Sequence, residues 1–418
     1  MMLFKNPKII FLSLFLISNI YSFIHYFING SFLGEVSQFD YKNEEAAMYI
    51  LFLILFFYFF FMVFLYRILI NIKIKPLITN AFEDRWNRTQ EFWGWLLIII
   101  QLMFIFYFTL TGSFGANSTN REGSIISAIW VLLSPDNLFF IYYSIFRKSK
   151  LAKYNCALAI ISNILRGWSA IFIFILFIEL CHRYREKRLR IGILAKFASV
   201  LFLLYPFILI TKYAVRDYLA IGQDFSSVFS ITWGYVFNNE GILGYFSGLI
   251  FGLDQFFSRI QIFSNATVLF SIRDQIATYI ENHAVNSFWN EGIYGLIWNR
   301  IAGYPNANNL GEVFAFFIDP QSVLGSWNSN PSFLSWIFIY PFEFGTYLFF
   351  VLILCFFTII LIKKITSEKL AYDMLWYMWL ILILPGWFAS FILLLNTLLI
   401  FYLITLFKVS GRSKKVCE

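Results

Sequence analysis

Runs of about 20 apolar residues, the length of helix that crosses a hydrocarbon core, recur along this sequence. They lie near 9–28, 47–66, 92–112, 124–146, 191–212, 337–362 and 387–407. No water-soluble core could absorb them. Of the 418 residues, 60% are hydrophobic, 22% are aromatic and only 13% are charged, so lipid is the solvent for much of the chain. The expected class is an all-α polytopic membrane protein. Lys5 and Lys8 precede the first run, which is longer than the core of a cleaved signal peptide and reads as a retained helix. None of the four cysteines falls between Lys212 and Pro331, so no disulfide framework is expected there. The net charge of +8 reads as basic residues holding cytoplasmic loops inside; no nucleic-acid partner is expected.

Two apolar regions fit no single ordinary crossing: 154–182 and 370–386. Short loops rich in Lys and Arg stay cytoplasmic. Such clusters flank 154–182 on both sides, at Arg147/Lys148/Lys150/Lys153 and at Arg183/Arg185/Lys187/Arg188/Arg190. A double crossing of 154–182 puts every basic cluster on one side, with both termini cytoplasmic and about ten crossings in all. Helices of about 14 residues rise only about 21 Å, so the tip of such a hairpin, Asn163 to Ser169, stays within the bilayer and must be buried in protein or line a wet cavity. Arg166 stands at that tip. The expected blocks are an N-terminal bundle at 1–212 containing the short hairpin 154–182, a large extracytoplasmic loop at 213–336, and C-terminal helices with a basic cytoplasmic tail at 337–418. Within the loop, Asp254, Ser258, Gln261 and Asn265 predict one polar stripe on an amphipathic helix.

On the outer side the positive charges are Lys42, Arg121, Arg166, Lys212, Arg216, Arg259, Arg273 and Arg300. Arginine binds phosphate bidentately and keeps its charge when partly buried. Arg166, Arg216, Arg259 and Arg300 are therefore the candidates for holding a phosphate or diphosphate. For Arg166 the other reading is an ion pair with Glu179 or Asp136; Arg273, followed by Asp274, reads as a surface pair. His283 and Glu281 are the candidate proton-transfer groups, with Glu291 and Glu312 as further carboxylates. The Asn and Trp residues of the loop suit sugar hydroxyls and sugar faces, or an interfacial aromatic belt. The sequence contains no Gly-rich phosphate loop, no His/Cys metal spacing and no Asp-x-Asp pair, so neither a metal nor another cofactor is expected.

This layout resembles that of the bacterial O-antigen polymerases. The stretches that carry the resemblance are Ser162-Asn163-Ile164-Leu165-Arg166-Gly167, the pair Arg300 and Gly311, and Asn330-Pro331-Ser332 with Pro341 to Gly345. The resemblance implies a GT-C-like fold in the inner membrane. It implies a glycosyltransferase that polymerises oligosaccharide repeat units carried on undecaprenyl diphosphate at the periplasmic face, with a chain-length co-polymerase as partner. An O-antigen ligase or a flippase is the alternative.

Overall fold

The computed structural model describes residues 6–40, 43–78, 83–114, 124–221, 224–237, 241–293, 295, 297–298, 307–325 and 327–410. Among them there is no strand; the chain is a succession of helices. Six helical segments are long and apolar enough to cross a membrane: Pro7–Val36, Glu44–Ile70, Arg85–Thr111, Ile125–Phe146, Pro341–Ile365 and Phe388–Lys408. The protein is thus an all-α chain with the elements of a multi-pass membrane protein. Its outward-facing side chains agree, since Phe52, Phe59, Phe106, Ile125 and Phe407 are exposed, as suits a lipid solvent.

We number the helices α1 (Pro7–Asn29), α2 (Glu44–Phe59), α3 (Glu83–Thr111), α4 (Ile125–Leu133), α5 (Pro135–Phe146), α6 (Ala152–Leu165), α7 (Ala170–Arg185), α8 (Ile191–Ile221), α9 (Phe225–Phe237), α10 (Gly241–Ile260), α11 (Phe263–Ser271), α12 (Arg273–Asn282), α13 (Leu310–Ile318), α14 (Ser335–Ile339), α15 (Phe344–Ile365), α16 (Lys369–Met378) and α17 (Phe388–Ser410). They form two compact units interleaved along the chain. The first comprises residues 1–11, 87–130 and 135–257; the second comprises 12–86, 131–134 and 258–418. These units cut across the blocks 1–212, 213–336 and 337–418, because helices distant in sequence pack side by side. Helix α8 also runs on past Lys212 as far as Ile221.

In the first unit, α6 and α7 are 14 and 16 residues long. The turn between them closes as a glycine-capped helix end: Trp168 N–H donates to Asn163 O at 2.8 Å and Gly167 N–H to Ile164 O at 2.9 Å. Gly167 has φ +71°, a left-handed conformation that glycine adopts without steric cost. Helices α8 and α9 pack around Ile210, Val236 and Phe237, with Phe229, Tyr245 and Phe251 against them.

In the second unit, Phe333 lies among the rings of Phe57, Phe61 and Tyr347, at centroid distances of 4.7, 5.0 and 5.3 Å. The backbone that carries Phe333 is buried but satisfied, as buried peptide groups must be. Ser332 and Phe333 N–H donate to Pro385 O and Leu384 O at 2.9 Å each, and the Tyr347 hydroxyl donates to Phe333 O at 2.8 Å. Gly386, at φ +84°, is required here, because a Cβ on it would lie 2.6 Å from Ser332 O.

The polar stripe expected on one helix over 254–265 is instead divided. Helix α10 stops at Ile260 and α11 starts at Phe263. The cause lies on α1, where Asn19 Oδ1 accepts the N–H groups of Ile262 and Phe263 at 2.9 and 3.0 Å. That amide satisfies the first donors of α11 as a cap would. Gln261 and Asn265 are buried rather than turned to an outer interface.

Candidate functional site

The tip of the α6–α7 hairpin brings two of the candidate arginines together. Arg166 is only 1% exposed, and its Nη2 donates to Asp136 Oδ1 at 2.8 Å while Nε donates to Ser162 O at 3.1 Å. Asp136 sits in the first turn of α5, where a helix N-terminus favours negative charge, and it also accepts from Asn163 Nδ2 at 2.9 Å. The rings of Phe104, Phe108 and Trp168 cover the guanidinium at 5.1, 5.8 and 4.4 Å. Arg166 therefore does not line an open anion cavity. Its charge is met by Asp136 and closed in by aromatic faces, which matches the ion-pair reading of this residue, with Asp136 and not Glu179 as the partner. Glu179 is bound instead by Arg147 and by the Tyr143 hydroxyl. Arg216 donates Nε to Gly167 O at 3.1 Å, and so buttresses the same turn.

A second cluster is built in the other unit. Arg259, near the end of α10, is 47% exposed and pairs with Glu35, which is 25% exposed. Glu35 follows Gly34, whose φ of +78° places the chain against Ser258. The second carboxylate oxygen of Glu35 accepts from the Ser329 hydroxyl at 2.8 Å. Asn265 Nδ2 donates to Asn330 O at 2.9 Å and reaches Ser329 Oγ at 3.3 Å. A guanidinium has five donors in a fork; here it is held from one side by a carboxylate that is itself anchored, with the rest of the side chain exposed. Such a group can take a phosphate without first paying the entropy of ordering a long side chain.

The cluster continues along the backbone. Ser329 N–H donates to Gly311 O at 3.1 Å, at the start of α13. Asn309 caps this helix reciprocally with Glu312, its own N–H donating to Glu312 Oε2 at 2.9 Å. Asn309 Oδ1 also accepts from Asn286 Nδ2 at 3.1 Å and from Gly292 N–H at 3.3 Å. The neighbouring carboxyl of Glu291 is 4% exposed. Burial, aided by the charge of Glu312, pushes it up to about 8, against the backbone N–H groups of Leu310 and Ala389 that favour its charged form. The Trp336 indole N–H faces this carboxyl without a well-formed hydrogen bond.

A Cβ at Gly311 would lie 2.0 Å from Asn328 Oδ1 and 2.7 Å from Ser329 O. The Gly311→Ala variant is thus expected to displace the 328–329 backbone. The expected loss of stability is about 1–3 kcal/mol, read as a lowered midpoint of thermal unfolding. Gly345, with nothing within 4 Å of its Cβ position, provides the matched control: Gly345→Ala should stay within about 0.5 kcal/mol of the parent.

The remaining candidates fall elsewhere. His283 is exposed at the end of α12, stacked on Tyr279 with centroids 3.9 Å apart and with Nδ1 3.0 Å from Tyr279 O. Glu281 is exposed beside it. No described contact joins either to Arg259. Arg273 pairs with Asp274 at 3.6 Å. Arg300, Lys42 and Arg121 lie outside the described residues. Little in the sequence marks Glu35 as a site residue. Its only signal is a carboxylate after glycine in the short segment between α1 and α2.

The chain matches no protein-family model, no curated protein and no solved structure.

Proposed function

We propose that this protein polymerises oligosaccharide repeat units carried on a polyprenyl diphosphate at the outer face of the bacterial inner membrane, as an O-antigen polymerase does. The observation that carries the reading is the exposed Arg259 guanidinium, held by Glu35, which the Ser329 hydroxyl anchors in turn beside the amides of Asn265 and Asn330. A cation held ready beside amide groups suits a ligand that joins a diphosphate to sugar hydroxyls. Ten crossings, cytoplasmic termini, a GT-C-like arrangement and a chain-length co-polymerase partner belong to this reading.

In the reaction, the bond from the anomeric carbon to the lipid diphosphate breaks and the diphosphate leaves with the electron pair. A hydroxyl of the acceptor unit forms the new glycosidic bond and gives up its proton. Arg259 meets the charge that develops on the leaving group. Glu35, the carboxylate in contact with that guanidinium, is the proton acceptor in this reading, ahead of His283 and Glu281 on the exposed end of α12.

Deletion of the gene should leave lipopolysaccharide with core plus one repeat, seen on a gel. Bare core would point to a ligase or flippase instead. Arg259→Ala should give the same single-repeat pattern while the protein still accumulates in the membrane. Arg259→Lys should restore a partial ladder, since lysine keeps the charge but not the fork. A full-length ladder from Arg259→Ala removes this residue from the chemistry.

A further inference from the structure

A cavity of about 320 Å³ lies wholly within the first unit, lined by residues of α8, α9 and α10. It falls at the lower end of the range for small-molecule sites, about 300–1,000 Å³, and none of the residues discussed above for phosphate or proton transfer lines it. Its walls combine two kinds of group. The rings of Tyr213, Tyr235 and Phe251 supply flat apolar faces, with Tyr235 and Phe251 edge-to-face at 5.6 Å. Asp217, Gln255 and Thr232 supply polar groups.

These polar groups are not equivalent. The Tyr213 hydroxyl donates to Gln255 Oε1 at 3.3 Å, and the Thr232 hydroxyl donates to Val228 O at 2.8 Å. Asp217 has no hydrogen-bond or ion-pair partner among the described residues. Its neighbour Arg216 is turned away to Gly167 O, and the Lys212 ammonium lies over the Tyr213 ring at 5.4 Å. Asp217 is half-buried, so solvent satisfies its carboxylate, and a ligand seated here must bring hydrogen-bond donors in place of that solvent.

We infer that this cavity is a binding site for a neutral pyranose ring, with Asp217 accepting from its hydroxyls and the rings of Tyr235 and Phe251 covering its apolar face. The lining discriminates between ligand classes. An anionic group would face Asp217 and be repelled. A bare ammonium would need only acceptors and rings, and would make no use of the phenol, amide and hydroxyl that stand together here. A polyol, which both donates and accepts, matches the whole set, and aromatic rings suit the C–H face of a sugar. The identification of the ring as part of a lipid-linked repeat unit rests on the function proposed above; the site itself does not.

The test is saturation-transfer NMR on the full chain in lipid nanodiscs, with free N-acetylglucosamine, galactose and mannose at millimolar concentration as probes and glucuronate as the anionic comparison. At least one neutral sugar should receive saturation, and glucuronate should not. Asp217→Asn, which keeps size and shape, should weaken the bound sugar about tenfold, as expected for loss of a charged hydrogen bond. Gln255→Leu is the second variant, and an unchanged melting midpoint for each shows that the fold persists. Absence of transfer to every neutral sugar, equal transfer to glucuronate, or undiminished transfer in both variants would overturn the assignment. Transfer to glycerophosphoethanolamine in place of the sugars would make the cavity a lipid-headgroup site, and would overturn it too. The lipopolysaccharide gel is read separately, so a failed polymerase reading and a failed pocket cannot be confused.

Discussion

Replacing Asp136 by alanine should destabilise the protein by about 3–5 kcal/mol, the range for removing one partner of a buried ion pair. Arg166, at 1% exposure, would keep its charge and lose its carboxylate. Backbone contact at Ser162 O and the three rings around it would remain, but rings and one carbonyl do not replace a carboxylate for a desolvated guanidinium. The expected result is a strongly lowered melting midpoint and little protein accumulating in the membrane. Asp136→Asn keeps an oxygen for Arg166 and should lose less. Arg166→Met combined with Asp136→Leu removes both charges and should recover most of the loss, since apolar replacement of a whole buried pair is often close to neutral. If Asp136→Ala melts with the parent, the pair does not hold the hairpin.

The hairpin illustrates what a sequence discloses and what it withholds. The turn could be read: basic clusters on both flanks, a run too long for one helix and too short for two full crossings, and Gly167 at the tip. The fate of Arg166 could not. Its charge partner is 30 residues away in sequence, and nothing local distinguishes an arginine aimed at solvent from one aimed at Asp136. The same limit governs Asn19. Its side chain interrupts the helix at 261–262 across more than 240 residues of sequence, so the even spacing of Asp254, Ser258, Gln261 and Asn265 looked like a single stripe. Periodicity records which face of a helix would be polar; it does not record where a distant amide stops the helix.

The Arg259 cluster was half legible. The scarcity of arginines in the segments expected to lie outside marks Arg259 itself, and Gly311 is marked by its place after Arg300. Glu35, which holds the guanidinium, and Ser329, which anchors Glu35 and connects it to Gly311, carry no local signal stronger than a turn. Asp217 is the only carboxylate of a helix that carries Lys196, Lys212 and Arg216, and beside Arg216 the local sequence reads as a solvated pair.

Glu291 carries the second large expectation, a dependence of stability on pH. Its carboxyl ordinarily titrates near 4.5, and in the folded protein it is raised to about 8. Between those values the folded chain binds a proton there that the unfolded chain does not. Stability contributed by this group is therefore present in full at acid pH and falls as pH rises, by up to about 1.4 kcal/mol per pH unit. The interval from 4.5 to about 8 bounds the total at about 5 kcal/mol. Other groups add their own slopes, so the measurement is a difference. Thermal unfolding of the parent and of Glu291→Gln is compared from pH 5.5 to 8.5. Glutamine keeps an oxygen for the N–H groups of Leu310 and Ala389 and has no charge to desolvate. The advantage of the variant over the parent should widen steadily from pH 5.5 to pH 8.5, where it melts clearly above the parent. Parallel curves would mean that the carboxyl does not change charge in this interval. Because Gly292, at φ +67°, brings this segment within 2.9 Å of Ala389 Cα for any added Cβ, the chain has little room to swing Glu291 out to solvent. Ionisation would then load the start of α13 directly, and through Gly311 and Ser329 the anchor of Arg259. If the proposed reaction is correct, polymerisation should fall on the alkaline side in the parent and persist in Glu291→Gln.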